Sequence, residues 1–342
     1  MKKFLTAVAV LALAATTACG DGAASGGANP SQKSIRIAYQ AFPSGDLIVK
    51  NQGLLEQALP DYQITWTKFD SGASINTAFV AKSVDIAAIG SSPVARGLSA
   101  PLNIPYEVAF VLDVAGDNEA LVARDGSGIT DVAGLRGKKV GTPFASTSHY
   151  SLLAALAKAG VKESDVNIVD LEPQDIQAAW ARGDLDAAYT WLPSLDVIKK
   201  TGKVLITSRE LAAAGKPTLD LGVVSAAFAE AHPEAVDAWR KAEAQALDEI
   251  ANDPAAAAKA VGAELNLTPD DAANQLAQGV FLKPADLSTP QWLGTDGNVG
   301  KIADSLVDAA EFLKDQQKID AVPTLADVQK AIYVKGLPNV LG

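Results

Sequence analysis

The chain is poor in the residues that carry out covalent chemistry: its 342 residues include one cysteine and two histidines. A lone thiol forms no intramolecular disulfide, and no CxxC, HExxH or Gly-x-Ser-x-Gly pattern occurs. Thiol, zinc-hydrolase and serine-hydrolase mechanisms therefore lack their residues. Ser148 and His149 are adjacent, and neighbours on a helix point in different directions, so they make no catalytic dyad. His232-Pro233-Glu234 reads as a helix start on the surface, and Asp184 with Asp186 as a solvated edge. We expect no enzyme activity, no metal and no cofactor. Basic residues are also few, 29 against 40 acidic ones, for a net charge of −11. That balance excludes a nucleic-acid surface, which needs clustered Lys and Arg. It also excludes bulk attraction of anions, so any anion must be held by local dipoles.

Long apolar runs are missing after residue 19, where nothing approaches the ~20 residues of a membrane span. The N-terminus itself is different. Lys2 and Lys3 precede the apolar stretch Phe4 to Ala15, and Thr16-Thr17-Ala18 leads into Cys19. A basic end, a short apolar core and small residues at the cut make a secretory signal over 1–18. Small residues before the only cysteine resemble a bacterial lipobox, with Thr16 where the commonest pattern has Leu. Cys19 is then the acylated anchor and 19–33, rich in Gly, Ala and Ser, its flexible tether. The alternative is an ordinary cut near Ala18 with a spectator thiol. The expected location is outside the cytoplasmic membrane, on its cell-surface or periplasmic face, with membrane contact through the lipid only.

The remaining ~300 residues, in a chain 48% hydrophobic, can bury a core without disulfides and commonly divide into two lobes. Strands are expected over Ser34–Tyr39, Gln63–Phe69 and Asp85–Ile89, with helices over Leu47–Leu59 and Ile75–Lys82 between them. The alternation restarts with strands Glu119–Ala123, Lys139–Gly141, Asn167–Leu171 and Ala187–Thr190. Between these lie helices Asp131–Leu135, Tyr150–Ala159 and Asp175–Ala181. Strands Val204–Ile206 and Gly222–Val224 follow, then a mostly helical return containing Pro233–Ile250 and Ile302–Lys314. Alternating strands and helices imply an α/β fold with parallel pairing, and two such sets place a ligand cleft between two lobes.

Four segments put Ser, Thr, Gly or Pro at a strand-to-helix turn: Asp70 to Ser74, Gly90 to Pro93, Ser146 to Tyr150 and Trp191 to Ser194. Each alone is an N-cap. Together their unpaired N–H groups and helix dipoles suit a converging anion site. No Arg lies in these turns, and Arg96 sits further along its helix. Carboxylate and phosphate sites often use an Arg clamp. A sulfonate, a weakly basic monoanion with three acceptor oxygens, suits neutral donors.

The strings Phe69-Asp70-Ser71-Gly72-Ala73-Ser74-Ile75, Gly90-Ser91-Ser92-Pro93, Asn118-Glu119-Ala120-Leu121-Val122, Ser146 to Leu156, Ala188-Tyr189-Thr190-Trp191 and Pro217-Thr218-Leu219-Asp220 resemble the taurine-binding subunits of ABC importers. The resemblance runs in order from about Ile35 to Lys318. It implies a two-lobed periplasmic-binding-protein-like fold of type II, each lobe a mixed sheet flanked by helices, with the ligand in the interlobe cleft. Lobe I is expected over 34–116 and 221–342, lobe II over 117–220, with hinges near 116 and 221. By the same resemblance, Ser71, Ser91, Ser92, Thr147, Ser148 and His149 meet the sulfonate. Glu119 and Asp220 meet the amine, with Trp191, Tyr39 or Tyr150 supplying an aromatic face. For Glu119 a hinge salt bridge or cap stays open beside ligand contact. The implied partners are a small taurine-like molecule and the importer's permease, with the protein a monomer. The chain departs from the family around Gln278-Gly279-Val280-Phe281, where a polar and aromatic turn is missing, so no ligand contact is expected there. The competing readings are a binder of aliphatic sulfonates without an amine, or of another small anion. A regulatory domain would need a signalling module, and the enzyme relatives that make thiamine pyrimidine work in the cytosol.

Overall fold

The structure is a computed structural model that describes residues 33–341. The expected signal, Cys19 and tether lie outside the described residues. Ten strands form two five-stranded sheets of mixed direction. The first contains β1 (Lys33–Gln40), β2 (Tyr62–Phe69), β3 (Ile86–Gly90), β4 (Tyr106–Val114) and β10 (Leu219–Ser225), in the order β2-β1-β3-β10-β4. The second contains β5 (Glu119–Arg124), β6 (Lys139–Thr142), β7 (Asn167–Asp170), β8 (Ala187–Trp191) and β9 (Gly202–Thr207), in the order β7-β6-β8-β5-β9.

The two sheets share one plan. Three parallel strands are followed by one that arrives antiparallel: β10 pairs antiparallel with β3 and β4, and β5 with β8 and β9. Each of these strands enters just after the chain has crossed from the other sheet, between Val114 and Glu119 outward and between Thr207 and Leu219 on return. The sheets are mixed, as the family resemblance implies; the parallel pairing suggested by the alternation holds among β2, β1 and β3 and among β7, β6 and β8, while a strand arriving straight from the other sheet has no crossover helix to turn it parallel.

β4 is the longest strand and was not among those expected. Its sequence YEVAFVLDV is buried almost throughout, so it lacks the polar alternation that marks a half-exposed strand. The helix expected over Leu47–Leu59 is divided into Gly45–Gln52 and Leu54–Ala58 by Gly53 at φ 62°, in the left-handed region. The helix expected from Tyr150 begins earlier, at Thr147, because Ser146 caps it by accepting from the His149 N–H at 3.1 Å. Among the described residues no helix is long and apolar enough to cross a membrane.

One core surrounds the first sheet, and two smaller clusters cover the faces of the second. In the first, the helix Pro233–Asn252 lays Trp239 across β10 and against Phe110, ring centroids 6.2 Å apart. A Cβ on Gly222 would stand 2.4 Å from the Trp239 ring, so the indole occupies the space a side chain would need. Gly222→Ala is expected to lower stability by about 1–3 kcal/mol, the range for overpacking a filled core. Urea unfolding of the ligand-free protein measures it; an unchanged midpoint would show that the indole moves freely.

Candidate functional site

The first residues after several parallel strands meet between the sheets and enclose a small cavity of about 30 Å³. This is where α/β sheets place ligands, beyond the carboxyl ends of their strands. Gly72 opens the helix Gly72–Val80, Gly90 and Pro93 start the helix Ser91–Leu98, and Ser146 and Thr147 start the helix Thr147–Lys158. Trp191 and Leu192 come from the end of β8. All four turns expected to converge thus reach this cavity. Their close approach rests on small residues: a Cβ on Gly72 would fall 2.4 Å from Pro93, and one on Gly90, at the end of β3 in the first sheet, would fall 2.5 Å from the methyl of Thr147, which follows β6 of the second. The first amides of each helix have no intrahelical acceptor, so these turns bring backbone N–H donors to the cavity lining.

Glu119 stands at the mouth of β5, buried to 3% exposure, and lines the cavity. Its carboxylate is surrounded by hydroxyls. Thr147 and Ser148 donate to Oε2 at 2.5 and 3.0 Å, while Ser208, Ser151 and Thr218 donate to Oε1 at 2.6, 3.3 and 3.4 Å. Thr147 and Ser151 are four residues apart, so one helix face presents both. Burial pushes the Glu119 carboxyl up, and these hydroxyls oppose the shift without cancelling it. With both oxygens occupied, Glu119 organises the helix start and the return crossing.

Asp220 lines the cavity from β10, directly opposite Asp113 of β4 and paired on its other side with Gly90. Burial raises the Asp220 carboxyl well above the ordinary range, and Asp113 and Glu119 add to the rise. Asp113 was not among the expected residues. It is fully buried and its carboxyl is likewise raised by burial. Gln40, Phe42 and Asn118 also line the cavity and were missed. Gln40 is the last residue of β1 and Phe42 follows it, where the chain leaves the strand.

The structure separates the other expected residues. Tyr39 is not in the cavity lining; its ring packs edge-on to Trp66 at 6.3 Å, with the Lys50 ammonium 5.2 Å away. Successive strand residues face opposite ways, and Gln40 takes the cavity side. Ser71 turns its hydroxyl to Glu172 across the boundary, donating at 2.9 Å, and Ser91 Oγ accepts from the Leu219 N–H at 3.0 Å. Ser92 and His149 line a neighbouring cavity of about 300 Å³, together with Tyr150, Arg96 and Lys318. There His149 stacks on Phe144 at 4.6 Å, and its Nδ1 accepts from the N–H of Ala145, whose φ of 56° is left-handed. Burial, helped by Lys318 and Arg96, lowers the imidazole to about 4. A neutral ring there supports a strained turn and supplies no positive charge. The section around Gln278 lines no part of the central cavity. Its backbone carbonyl accepts from the Asp117 N–H at 2.9 Å, which braces the outward crossing.

Comparison with known proteins gives consistent results. A family model described as NMT1/THI5 like matches residues 105–257. The taurine-binding periplasmic protein of Escherichia coli (strain K12) is 40% identical over 265 residues, 76% of this chain and 79% of its own. A Bacillus subtilis (strain 168) protein named for binding aliphatic sulfonates is 33% identical over 243 residues, 69% of this chain and 70% of its own. Among solved structures, the alkanesulfonate-binding protein SsuA from Xanthomonas axonopodis pv. citri, bound to MOPS, has a TM-score of 0.73 and covers 90% of this chain and 100% of its own. At 23% identity it shares the fold.

The buried carboxyls set the pH dependence of the ligand-free protein. Asp46, pushed up to about 6 by burial, joins Asp113, Glu119, Asp220 and Glu243, all raised for the same reason. A raised carboxyl binds more protons folded than unfolded, so its stabilisation is full below the ordinary value near 4 and fades as pH rises through the native value. His149, depressed to about 4, works in the opposite sense and costs stability as pH falls from about 6.5. The thermal midpoint is expected to be higher at about pH 5.5 than at about pH 8, by about 2–5 °C. Differential scanning calorimetry checks this, and a midpoint rising toward alkaline pH would contradict the assignment.

Proposed function

Because the chain belongs to the family of periplasmic taurine- and sulfonate-binding proteins, we propose that it captures taurine, or a closely related small amino-sulfonate, between its lobes and delivers it to the permease of an ABC importer. It is a binding protein, not an enzyme. The carrying observation is that one narrow cavity is lined both by the starts of three helices and by an acid, Asp220, on the strand beside them. Backbone amides of the Gly72, Ser91 and Thr147 helices hold the sulfonate, and the dipoles behind them overcome an unfavourable overall field. Asp220 meets the ammonium, which needs a counter-charge once desolvated, and the Trp191 ring closes over it.

In this reading lobe I comprises 34–116 and 221–342 and lobe II 117–220, and the lobes rotate about the two crossings. Contacts on both flanks of the cavity support a closed form: Ser71 to Glu172 at 2.9 Å, Gln174 Nε2 to Asp70 at 2.7 Å, and Lys318 to Glu163 at 2.8 Å. Cys19 tethers the protein to the membrane as a monomer, and the closed shape is what the permease reads.

Titration calorimetry with taurine and ethanesulfonate tests the proposal. Asp220→Asn is expected to weaken taurine by about 10–100-fold, the worth of a hydrogen bond to a charged group, and to leave ethanesulfonate within about threefold. Taurine binding that survives the substitution would remove the amine assignment and favour a binder of amine-free sulfonates. Absence of heat with either compound would overturn the proposal.

A further inference from the structure

Behind Asp220 lies a row of acids that no ligand can touch. Asp113 has no exposed surface, and among the described residues neither of its carboxylate oxygens has a hydrogen-bond donor. It stands directly opposite Asp220 across an antiparallel pair, which places the two side chains on one face about 5 Å apart at their Cβ atoms. Asp46, on the helix Gly45–Gln52, takes the Ser44 hydroxyl on one oxygen and has no partner for the other. Glu243, on the helix Pro233–Asn252, takes Trp239 Nε1 at 2.9 Å and also has one oxygen unpartnered. Glu119 faces the pair from β5, but its charge is spread over five hydroxyls. From β3 the facing residue is Gly90, which carries no charge. Among the described residues no Lys, Arg or His comes within ion-pair distance of any of these five carboxyls.

Two carboxyls facing each other in this position, Asp113 fully buried and Asp220 half-buried, do not both ionise without a cation, because like charges in a poorly solvated site repel strongly. A hydrogen bond between them requires that one carry a proton, and only Asp220 of the pair reaches the cavity. We propose that Asp113 and Asp220 share one proton in the ligand-free protein, and that the ammonium group of an amino-sulfonate replaces it, so that capture releases a proton to solvent. The step balances in charge: a neutral Asp220 carboxyl and a ligand ammonium become a carboxylate–ammonium pair and one free proton. Asp113 is thus a positioning residue that never touches the ligand and sets the protonation of the group that does. This inference rests on the amino-sulfonate reading above. It adds a basis for discrimination, since a sulfonate without an amine has nothing to exchange for the proton.

The test is calorimetric titration of the full-length protein with taurine at pH 7 in buffers of different ionisation enthalpy, such as phosphate and Tris. The dependence of the apparent heat on that enthalpy counts the protons released. Between about 0.3 and 1 proton per taurine is expected, with none for ethanesulfonate, and taurine affinity should rise with pH by up to about tenfold per unit, the limit for one linked proton. Asp113→Asn keeps the shape but removes the like charge. It should lower the number of protons released and make the pH profile shallower, burial of Asp220 accounting for what remains, a change that loss of packing alone would not produce. Normal taurine binding with no proton release in the wild-type protein overturns this inference and leaves the proposed function standing. No heat with taurine in any buffer overturns both. If Asp113→Asn does not fold, the wild-type buffer series and pH profile decide alone.

Discussion

The five-hydroxyl cage around Glu119 is the interaction on which the rest of the cleft depends. Its donors come from the start of the Thr147 helix, from Ser208 at the start of the next helical turn after β9, and from Thr218 on the return crossing. One carboxylate therefore fixes the angle of a helix N-terminus and the path of the chain between sheets. Hydrogen bonds to a charged acceptor are worth about 1.5–3 kcal/mol each, against the cost of taking the carboxylate out of water. An arginine would have neutralised the charge more simply. Hydroxyls satisfy the oxygens without supplying a counter-charge. They are also consumed in doing so: Thr147 and Ser148 donate to Glu119.

Packing explains why the cavity can be so small. Gly72 against Pro93, and Gly90 against the Thr147 methyl, let three helix starts come closer than side chains would permit. Dipole fields weaken within about a turn of the helix end, so this proximity decides whether they act on one anion or on three separate patches of solvent. In the proposed reading the same closeness would link closure to occupancy, because an anion seated between the Ser91 and Thr147 helices would touch elements of both sheets.

Much of this was legible in the sequence, and the failures have physical causes. The four Ser, Thr and Gly turns announced themselves because helix N-termini select those residues, and all four reach the cleft. Which hydroxyls face the ligand was not legible, since an N-cap, a capping contact to the next lobe and a ligand contact use the same residue types. Ser71 caps its helix and reaches Glu172, and Ser91 accepts the Leu219 N–H within the first sheet. Tyr39 was misplaced by one residue, which on a strand means the opposite face. His149 was placed beside the anion by its turn, yet its ring turns away to accept the Ala145 N–H. β4 went unread because a fully buried strand has no alternation, and Asp113 went unread with it.

That last omission shows what a sequence conceals about charge. An acid in the run Val111-Leu112-Asp113-Val114 reads as an interruption of a core strand, and only the register with β10 reveals that it faces Asp220. A site for a zwitterion must hold opposite charges a few ångströms apart without letting them cancel in the absence of ligand. Fixed side chains of both signs would pair with each other across so narrow a cavity. In the proposed reading the positive charge is that of helix dipoles, which cannot move to meet a carboxylate, and the negative charge that of acids whose burial opposes ionisation. On that reading each would wait for the ligand to supply its counter-charge, and a chain of net charge −11 could receive a molecule that carries a negative group.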